Sequence, residues 1–419
     1  MGKQNVSWLR VIKAAEYLLV FMIVINFRSV WVTTAGTSAE SASYFLVIIL
    51  STFLFVVNSF IYHQKWYKSE MVRFVLITVL LLISTLHSII QGSGIKHSTA
   101  PIIFAIVLTL AWITEYKSGR FFELINVFVK LMFVITCASL FFWMLSMLNV
   151  PTNSSISILW GGLRSINGYF HIHYLASGSN VILGVNIVRN TAFFSEAPMY
   201  SFLICIALAM HLFLQQRSSS NLIDKRTIIF LITIFTTAST TGVIVGIISV
   251  VATIIFQSSN RVGRSMLMIV GLGILVYIII YLLEMKSEAN VWSVSTRMDD
   301  VLAGIAAWKI HPWFGSGLGN FRVYMQYISQ SRLLIGANSG YSSGIFQILF
   351  TGGIYYFVAI VIIPFLGFMK INRNSYVFGI LFVILLFNTI VDSTALLFFV
   401  VSLGYSSLVV VKGFGKEVS

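Results

Sequence analysis

Residues 295–321, STRMDDVLAGIAAWKIHPWFGSGLGNF, hold the densest group of side chains in this chain that could do chemistry. They include Arg297, Asp299, Asp300, Lys309 and His311. An arginine can pair with phosphate oxygens through two parallel hydrogen bonds. A histidine can accept or donate a proton near neutral pH. The residue types therefore suit binding of an anionic substrate and transfer of a proton, although a lone histidine beside a proline is more often structural.

The same segment predicts a helix followed by a turn. Thr296 and Asp299 are spaced like a capping box, so we expect a helix over 297–310. Pro312 should end it, because the residue before a proline disfavours helical geometry. The helix would lie on the membrane through an apolar stripe of Val301, Ile305 and Trp308.

His311 opens the turn HPWFGSGLGN, which contains Gly315, Gly317 and Asn320. Its glycine spacing does not fit a nucleotide-binding fingerprint. A tight turn with exposed backbone N–H groups that face an anion is the better interpretation. Arg297 would lie about 21 Å from His311 at a rise of 1.5 Å per residue, so the two would contact opposite ends of a long substrate.

A second group lies in VRNTAFFSEAP, residues 188–198, where the chain enters an apolar run. Arg189 and Glu196 are its charged members, and Ser195 would cap the helix that begins there, with Glu196 in the first turn. Glu196 has two interpretations. It is either a carboxylate favoured by the helix dipole or an ionisable group held at the mouth of a membrane site.

The elements that must position these residues are membrane helices. Hydrophobic residues make up 58% of the 419 and charged residues 10%, whereas soluble domains carry about 25% charged residues. Apolar runs of about 18 residues or more recur without the alternation of barrel strands. The sequence predicts an all-α polytopic protein with about twelve spans: 11–27, 44–62, 73–91, 99–115, 122–147, 196–214, 226–238, 241–257, 265–283, 343–369, 375–390 and 393–411.

The distribution of charge predicts the topology. Most of the Lys and Arg residues fall on one side if the N-terminus is inside, which places both termini in the cytoplasm. The net charge of +14 is thus a membrane feature and does not indicate nucleic acid. The chain divides into helices 1–5 (1–147), an outer loop (148–195), helices 6–9 (196–283), a second outer loop (284–342) and helices 10–12 (343–419). We expect both loops to form short helices and turns.

The seventh and eighth spans resemble one apolar stretch broken by the polar residues 236–241, TTASTT. A polar break at membrane depth must be buried in protein or line a wet cavity. It is therefore either a polar floor beneath an outer cavity or a tight hairpin whose hydroxyls bond to backbone carbonyls. Asp392, between the last two spans, is predicted to be a turn residue. The sequence has no P-loop and no metal-ligand spacing, which predicts chemistry without a cofactor.

The order of these motifs is informative. Arg189 and FSEAP at the start of a span, the Ser/Thr-rich break, then Arg297 and HPWFGSGLGNF in an outer loop together resemble the O-antigen polymerase and ligase family (Wzy-like), over roughly 150–355. Ligase-type members carry a His-Asn pair about eleven residues before the Gly of the next span. Here those positions are Ser342 and Ser343, which favours a polymerase.

The resemblance implies a function. Such a polymerase joins oligosaccharide repeat units on undecaprenyl pyrophosphate at the outer face of the bacterial cytoplasmic membrane, without a metal and with inversion. Its partners would be the lipid-linked oligosaccharide, the membrane and a chain-length-regulating co-polymerase. His311 or Glu196 would accept the proton. Contacts to pyrophosphate or glycan would come from Arg189, Arg297, Arg164, Gly315, Gly317 and Asn320. The alternatives are a ligase-type glycan transferase and a transporter or flippase of lipid-linked sugars.

Overall fold

The structure is a computed structural model that describes residues 3–182, 185–215, 224–257, 263, 273, 291–330, 332, 340–392 and 394–410. It is mostly helical, as the composition predicts. The helices are α1 (Lys3–Asn26), α2 (Ala39–Ile61), α3 (Lys68–Ile90), α4 (Ile95–Lys117), α5 (Phe121–Met147), α6 (Ala197–Phe213), α7 (Lys225–Thr236), α8 (Thr240–Gln257), α9 (Val291–Ile310), α10 (Arg322–Met325), α11 (Gly344–Phe368), α12 (Ser375–Asn388) and α13 (Ala395–Val409).

The helices agree with a membrane protein. Among the described residues, five are long and apolar enough to cross a membrane, namely α2, α3, α4, α5 and α11. Helices α6, α8, α12 and α13 are apolar but shorter. The predicted span 265–283 lies outside the described residues. The helical membrane class is confirmed, and the number of twelve spans stays a prediction.

The loop over residues 148–195 contains strands, so the prediction of short helices and turns was wrong there. It forms strands β1 (Ser154–Leu159), β2 (Leu163–Tyr169), β3 (His173–Tyr174), β4 (Ser179–Ile182) and β5 (Val185–Val188). The first three make one antiparallel sheet, and β4 pairs with β5. The chain is therefore not all-α.

A short alternation explains the first sheet. In β1 and β2 the apolar Ile158 and Ile166 are buried between exposed neighbours, which is the period-two pattern of a strand. Gly161 and Gly162 form the turn with φ of 63° and 116°, a region that glycine enters without strain. The alternation covers too few residues to stand out beside apolar runs.

Helix α6 lies at the centre of the assembly. Nearly all its residues are buried, and α5, α7, α8 and α12 pack around it. A helix that is apolar on every side is stable only in such an interior position. The N-terminus of α6, where Glu196 lies, is consequently surrounded by other elements.

The segment predicted as the second long loop contains α9, which ends at Ile310 as Pro312 predicts. The capping box was wrong, because Thr296 lies inside the helix. The predicted stripe is also only half-buried. The face packed against α11 consists of Asp300, Ala303, Gly304 and Ala307. Small residues on this face allow close packing, since a Cβ on Gly304 would collide with the Tyr341 hydroxyl.

Candidate functional site

Arg189 directly follows β5, and the turn between α7 and α8 holds it. Its Nε donates to the carbonyl of Thr237 at 3.0 Å, and the adjacent Asn190 N–H donates to the carbonyl of Thr236 at 2.9 Å. The Asn190 amide also donates to the Thr236 hydroxyl at 3.1 Å. The sheet and the broken hairpin thus fix the Arg189 backbone on both sides.

The broken hairpin itself follows the tight-turn interpretation. The hydroxyls of Thr236 and Thr237 donate to the carbonyls of Thr233 and Ile234 at 2.8 and 2.6 Å. Ala238 takes a positive φ of 50° at the reversal. The two hydroxyls therefore bond within the hairpin. The backbone carbonyls of Thr236 and Thr237 bind Asn190 and Arg189.

Glu196 occupies the N-cap position of α6, with extended backbone angles. Ser195 was predicted to cap this helix and Glu196 to lie in its first turn; both expectations were wrong by one residue. The Glu196 side chain makes no capping hydrogen bond and is partly exposed. Pro198 in the first turn explains the shift, because proline is favoured at the start of a helix.

Arg297 lies in α9. Its guanidinium donates to the Asn388 side-chain oxygen, at the end of α12, at 3.2 Å. Burial lowers the pKa of Arg297, and the carboxylate of Asp300, one turn along α9, opposes that shift. An arginine stays protonated under any such shift, so the group is a partly buried cation.

Arg189 lies within electrostatic range of both Glu196 and Arg297. Burial lowers the pKa of Arg189, the Glu196 carboxylate opposes this, and the positive charge of Arg297 adds to it. Among the described residues, neither guanidinium has a carboxylate within 4 Å. Two like charges held close in a partly buried place are costly, and an anion between them would relieve that cost.

Arg164 lies in β2 and contacts the same region. Its guanidinium donates to the carbonyl of Ser195 at 2.8 Å. The Ser195 N–H donates to the carbonyl of Arg28, just after α1, at 3.0 Å. Arg28 lies 3.9 Å from the carboxylate of Asp392, which is in a turn as predicted.

The sequence interpretation missed Arg28 and Asn388. Each is an isolated polar residue at the end of an apolar run, and neither is part of a spaced motif. One sequence signal could have identified them. A polar group in or near a membrane span is energetically costly, so such a residue is a candidate for a functional site. Their partners, Asp392 and Arg297, are set by packing between distant elements.

His311 lies at the other end of α9 and its side chain is exposed. Helix geometry places it about 21 Å from Arg297 along the axis. The structure therefore does not gather His311 with Arg189 and Glu196.

The turn after His311 uses its N–H groups within the protein. Ser316 and Gly317 donate to the carbonyls of Phe350 and Thr351 in α11, each at 2.9 Å. The Gly315 N–H donates to the carbonyl of His311 at 2.9 Å. The expectation of exposed N–H groups facing an anion was wrong for these positions, because the turn docks on a helix.

The glycines of this turn permit that docking. Gly315 and Gly317 have φ of 70° and 100°. A Cβ on Gly315 would collide with the backbone of Thr351, and one on Gly317 would collide with the Ser93 hydroxyl. Asn320 closes the turn by donating to the carbonyl of Ser316 at 3.1 Å. The residues of the turn thus hold α9, α11 and α3 together.

Ser342, at the position of the ligase histidine, contacts Asp300. Its hydroxyl and N–H donate to one oxygen of Asp300, at 2.5 and 2.9 Å. Arg332 binds the other oxygen at 2.7 Å. Asp300 is fully buried, so this ion pair fastens the end of the loop to α9.

A comparison with curated proteins found no match. A comparison with family models matched residues 227–361 to the model described as O-antigen ligase (Wzy_C). The matched range contains α9 with Arg297, the turn after His311 and the Asp300–Ser342 contact, whereas Arg164, Arg189 and Glu196 precede it. The match confirms the resemblance of this chain to the O-antigen polymerase and ligase family.

Proposed function

We propose that the chain is a polymerase that joins oligosaccharide repeat units carried on undecaprenyl pyrophosphate. The reaction takes place at the outer face of the bacterial cytoplasmic membrane, with both termini in the cytoplasm. The family match supports a glycan transferase of the polymerase or ligase type. The observation that carries the proposal is the position of Arg189, which the α7–α8 turn holds within electrostatic range of both Arg297 and Glu196.

The two arginines suit the leaving group of this reaction. Planar guanidinium groups pair bidentately with phosphate oxygens. Negative charge grows on the pyrophosphate as the sugar departs, and fixed cations stabilise that charge in the transition state. The partners of Arg189 and Arg297 are a carbonyl and an amide, so their charge is available to a substrate.

The transfer needs no metal, because the donor sugar is already activated. The oxygen of the acceptor hydroxyl attacks the anomeric carbon and forms the new glycosidic bond. The bond from that carbon to the phosphate oxygen breaks, and its electron pair leaves with undecaprenyl pyrophosphate. The acceptor's proton passes to a base within hydrogen-bond reach. A single displacement inverts the anomeric centre.

Glu196 is the better candidate for the base. It is partly exposed, makes no capping hydrogen bond and lies within electrostatic reach of Arg189. His311 is separated from Arg297 by about 21 Å along α9, which suits a contact with the far end of the glycan. Arg164 bonds to the carbonyl of Ser195, the residue before Glu196, and we assign it a contact with the substrate as well.

An apolar cavity supports a polyprenyl carrier. It has a volume of about 280 Å³ and lies between α7 and α8. Among its lining residues, Ile234 and Phe235 come within one turn of Thr237, whose carbonyl binds Arg189. The pyrophosphate at Arg189 would thus have an apolar channel beside it for its lipid chain.

Deleting the gene and separating surface glycans on a gel tests the function. Loss of a polymerase leaves single repeat units on the surface. Loss of a ligase leaves long lipid-linked chains, and loss of a flippase accumulates units inside the cell. Complementation with Arg189→Ala or Arg297→Ala should leave the polymerase defect in place. Full-length polymer from both variants would refute the assignment of these residues.

A further inference from the structure

Glu16, Glu115 and Arg120 form a buried group of charges that the proposed function does not use. Glu16 lies in α1 and Glu115 in α4, and both side chains are fully buried. Arg120, directly before α5, donates to Glu16 and, at 3.2 Å, to Glu115. One guanidinium thus joins the two carboxyl groups of two helices to the start of a third.

The charges of this group do not balance. Two carboxyl groups share one arginine, and the charged groups that act on Glu16 are Glu115 and Arg120. The two carboxyl groups also lie within hydrogen-bonding distance of each other. Two carboxylates in such contact cannot both stay ionised, so a pair of this kind holds one proton.

Neighbouring elements do not supply the missing positive charge. Lys117, near the end of α4, pairs with Glu70 of α3 at 2.5 Å. Lys13, in α1, is exposed, and Glu123, in α5, is another acid. Helix α13 has no acidic or basic side chain, and α2 has its only charged residue at its first turn. Within the described part of the chain, the balance is therefore left to a ligand.

Two oxygen atoms in the group lack a hydrogen-bond donor. The Asn58 amide of α2 donates to Glu115 at 2.7 Å, which places the Asn58 side chain in the group. The Oδ1 atom of Asn58 and the Oε2 atom of Glu16 are buried without a partner among the described residues. Both residues are 0% exposed. Buried polar atoms without a partner are uncommon, and these two can only accept, so the missing partner is a donor.

We propose that Glu16 and Glu115 form a proton-binding site, in which the two carboxyl groups share one proton while Arg120 and Asn58 fix their positions. The bound proton balances the second negative charge. It also makes one carboxyl group a hydrogen-bond donor, which a carboxylate is not. This site does not depend on the proposed function.

Arg120 marks the route by which the proton enters and leaves. Its side chain is 11% exposed, whereas that of Glu16 is 0% exposed. Gly119, next to it in the turn between α4 and α5, is exposed as well. On the predicted topology this turn faces the cytoplasm, so the site responds to the pH on that side.

Infrared difference spectroscopy of the purified full-length chain tests the site, because a protonated carboxyl group has its own C=O stretching band. At neutral pH the unmodified protein should show this band. Glu16→Gln and Glu115→Gln should each lose it, since the remaining acid then pairs with Arg120 alone. Glu123→Gln, which changes an acid outside the group, is the matched control and should keep it. A band that is absent from the unmodified protein, or kept by either of the first two variants, would overturn the shared proton.

The unfolding temperature in detergent gives a second measure. Glu16→Gln has the shape of a protonated glutamate at every pH, and Arg120 stays charged. The native unmodified protein binds one proton more than its unfolded chain, so a rise in pH lowers its stability. The gap between the unfolding temperatures of the variant and the unmodified protein should therefore widen from about pH 7 to about pH 9. A constant gap would show that both carboxyl groups are already ionised and would overturn the proposal.

A monovalent cation is the other ligand that could balance the charge. The infrared measurement is therefore repeated with choline in place of sodium and potassium. The band should be the same in both solutions. A band that appears only when sodium and potassium are absent would overturn the proton as the native ligand and assign the site to a metal cation.

Discussion

Arg120 differs from Arg189 and Arg297 in the groups that bind its guanidinium. Arg120 forms ion pairs with Glu16 and, at 3.2 Å, with Glu115, and both carboxylates are fully buried. Arg189 and Arg297 bond to a carbonyl and an amide instead. The chain has only 13 acidic residues for 27 basic ones. We therefore expect pairing with carboxylates to mark an arginine that supports the fold, and neutral partners to mark an arginine whose charge is available to a ligand.

The difference is not simply one between two regions of the chain. Arg332 lies in the same outer loop as Arg297, yet it pairs with Asp300 at 2.7 Å and Asp299 at 3.3 Å. It resembles Arg120 in this respect. Two arginines of one loop thus have opposite environments, which supports separate roles for them.

The largest effect is expected at Arg120. Arg120→Ala would leave Glu16 and Glu115 buried without their cation, which costs about 3–5 kcal/mol of folding free energy. The unfolding temperature in detergent, followed by tryptophan fluorescence, should fall sharply. Arg120→Lys keeps a positive charge, so its unfolding temperature should fall less. An unfolding temperature equal to that of the unmodified protein would show that carboxylate pairing does not identify structural arginines.

Arg189→Ala and Arg297→Ala should show the reverse pattern. Neither removes an ion pair, so the unfolding temperature should change little. The rate of polymer formation should fall about 10²- to 10³-fold, as for the loss of a group that stabilises transition-state charge. The measurement compares both quantities in the same preparations. A fall in stability with no specific loss of rate would show that these arginines support the fold, as Arg120 does.

The loop sheet that positions Arg164 should weaken in acid. Burial lowers the pKa of His173, in β3, to about 4 from 6.5, so the unfolded chain binds the extra proton between these values. Stability is full above about pH 6.5 and falls as the pH drops towards 4, by up to about 3 kcal/mol at 1.36 kcal/mol per unit. Hydrogen exchange of 154–174 against pH measures this. His173→Phe should remove the dependence, and a persistent dependence would assign it elsewhere.

Glu196→Gln should lower the rate of polymer formation about 100-fold, the lower range for a general base, and leave lipid binding unchanged. His311→Ala should lower the rate less than about tenfold, because His311 lies away from the arginine pair. The comparison of the two rates at saturating substrate separates their roles. A larger loss from His311→Ala would move the base to the other end of α9.

An effect on substrate binding alone is expected in the apolar cavity. Val250→Phe would fill part of its 280 Å³ and should raise the KM for an undecaprenyl-linked donor about tenfold, or about 1.4 kcal/mol. A donor with a short prenyl chain should be unaffected. Ile244→Phe, on the same helix but outside the cavity lining, is the control. Equal effects on both donors would exclude the cavity as the lipid site.

Sequence reasoning found the parts of the molecule that local patterns determine. Apolar runs located the helices, and Pro312 located the end of α9. Arg189, Glu196 and Arg297 stood out because charges near a membrane are rare. Their proximity required tertiary packing, since they come from a loop, from α6 and from α9.

The errors also have physical causes. Strands β1 and β2 are short, and their alternation is weak beside membrane runs. The turn after His311 looked like an anion site because its glycines predict free N–H groups, but α11 supplies carbonyls to them. Arg28 could not be recognised because it contacts Ser195, which in turn binds Arg164, and both residues are far away in the chain.

The docked turn after His311 has a consequence for protein engineering. Besides its bonds to α11, the Leu318 N–H donates to the Ser88 hydroxyl of α3 at 2.9 Å, and the Gly315 carbonyl contacts the His87 ring at 3.2 Å. An outer loop transplanted from a homologue to alter glycan preference would have to match a distant membrane helix as well as its own flanks. Chimaeras that exchange 291–343 together with 84–94 should therefore express better than those that exchange the loop alone.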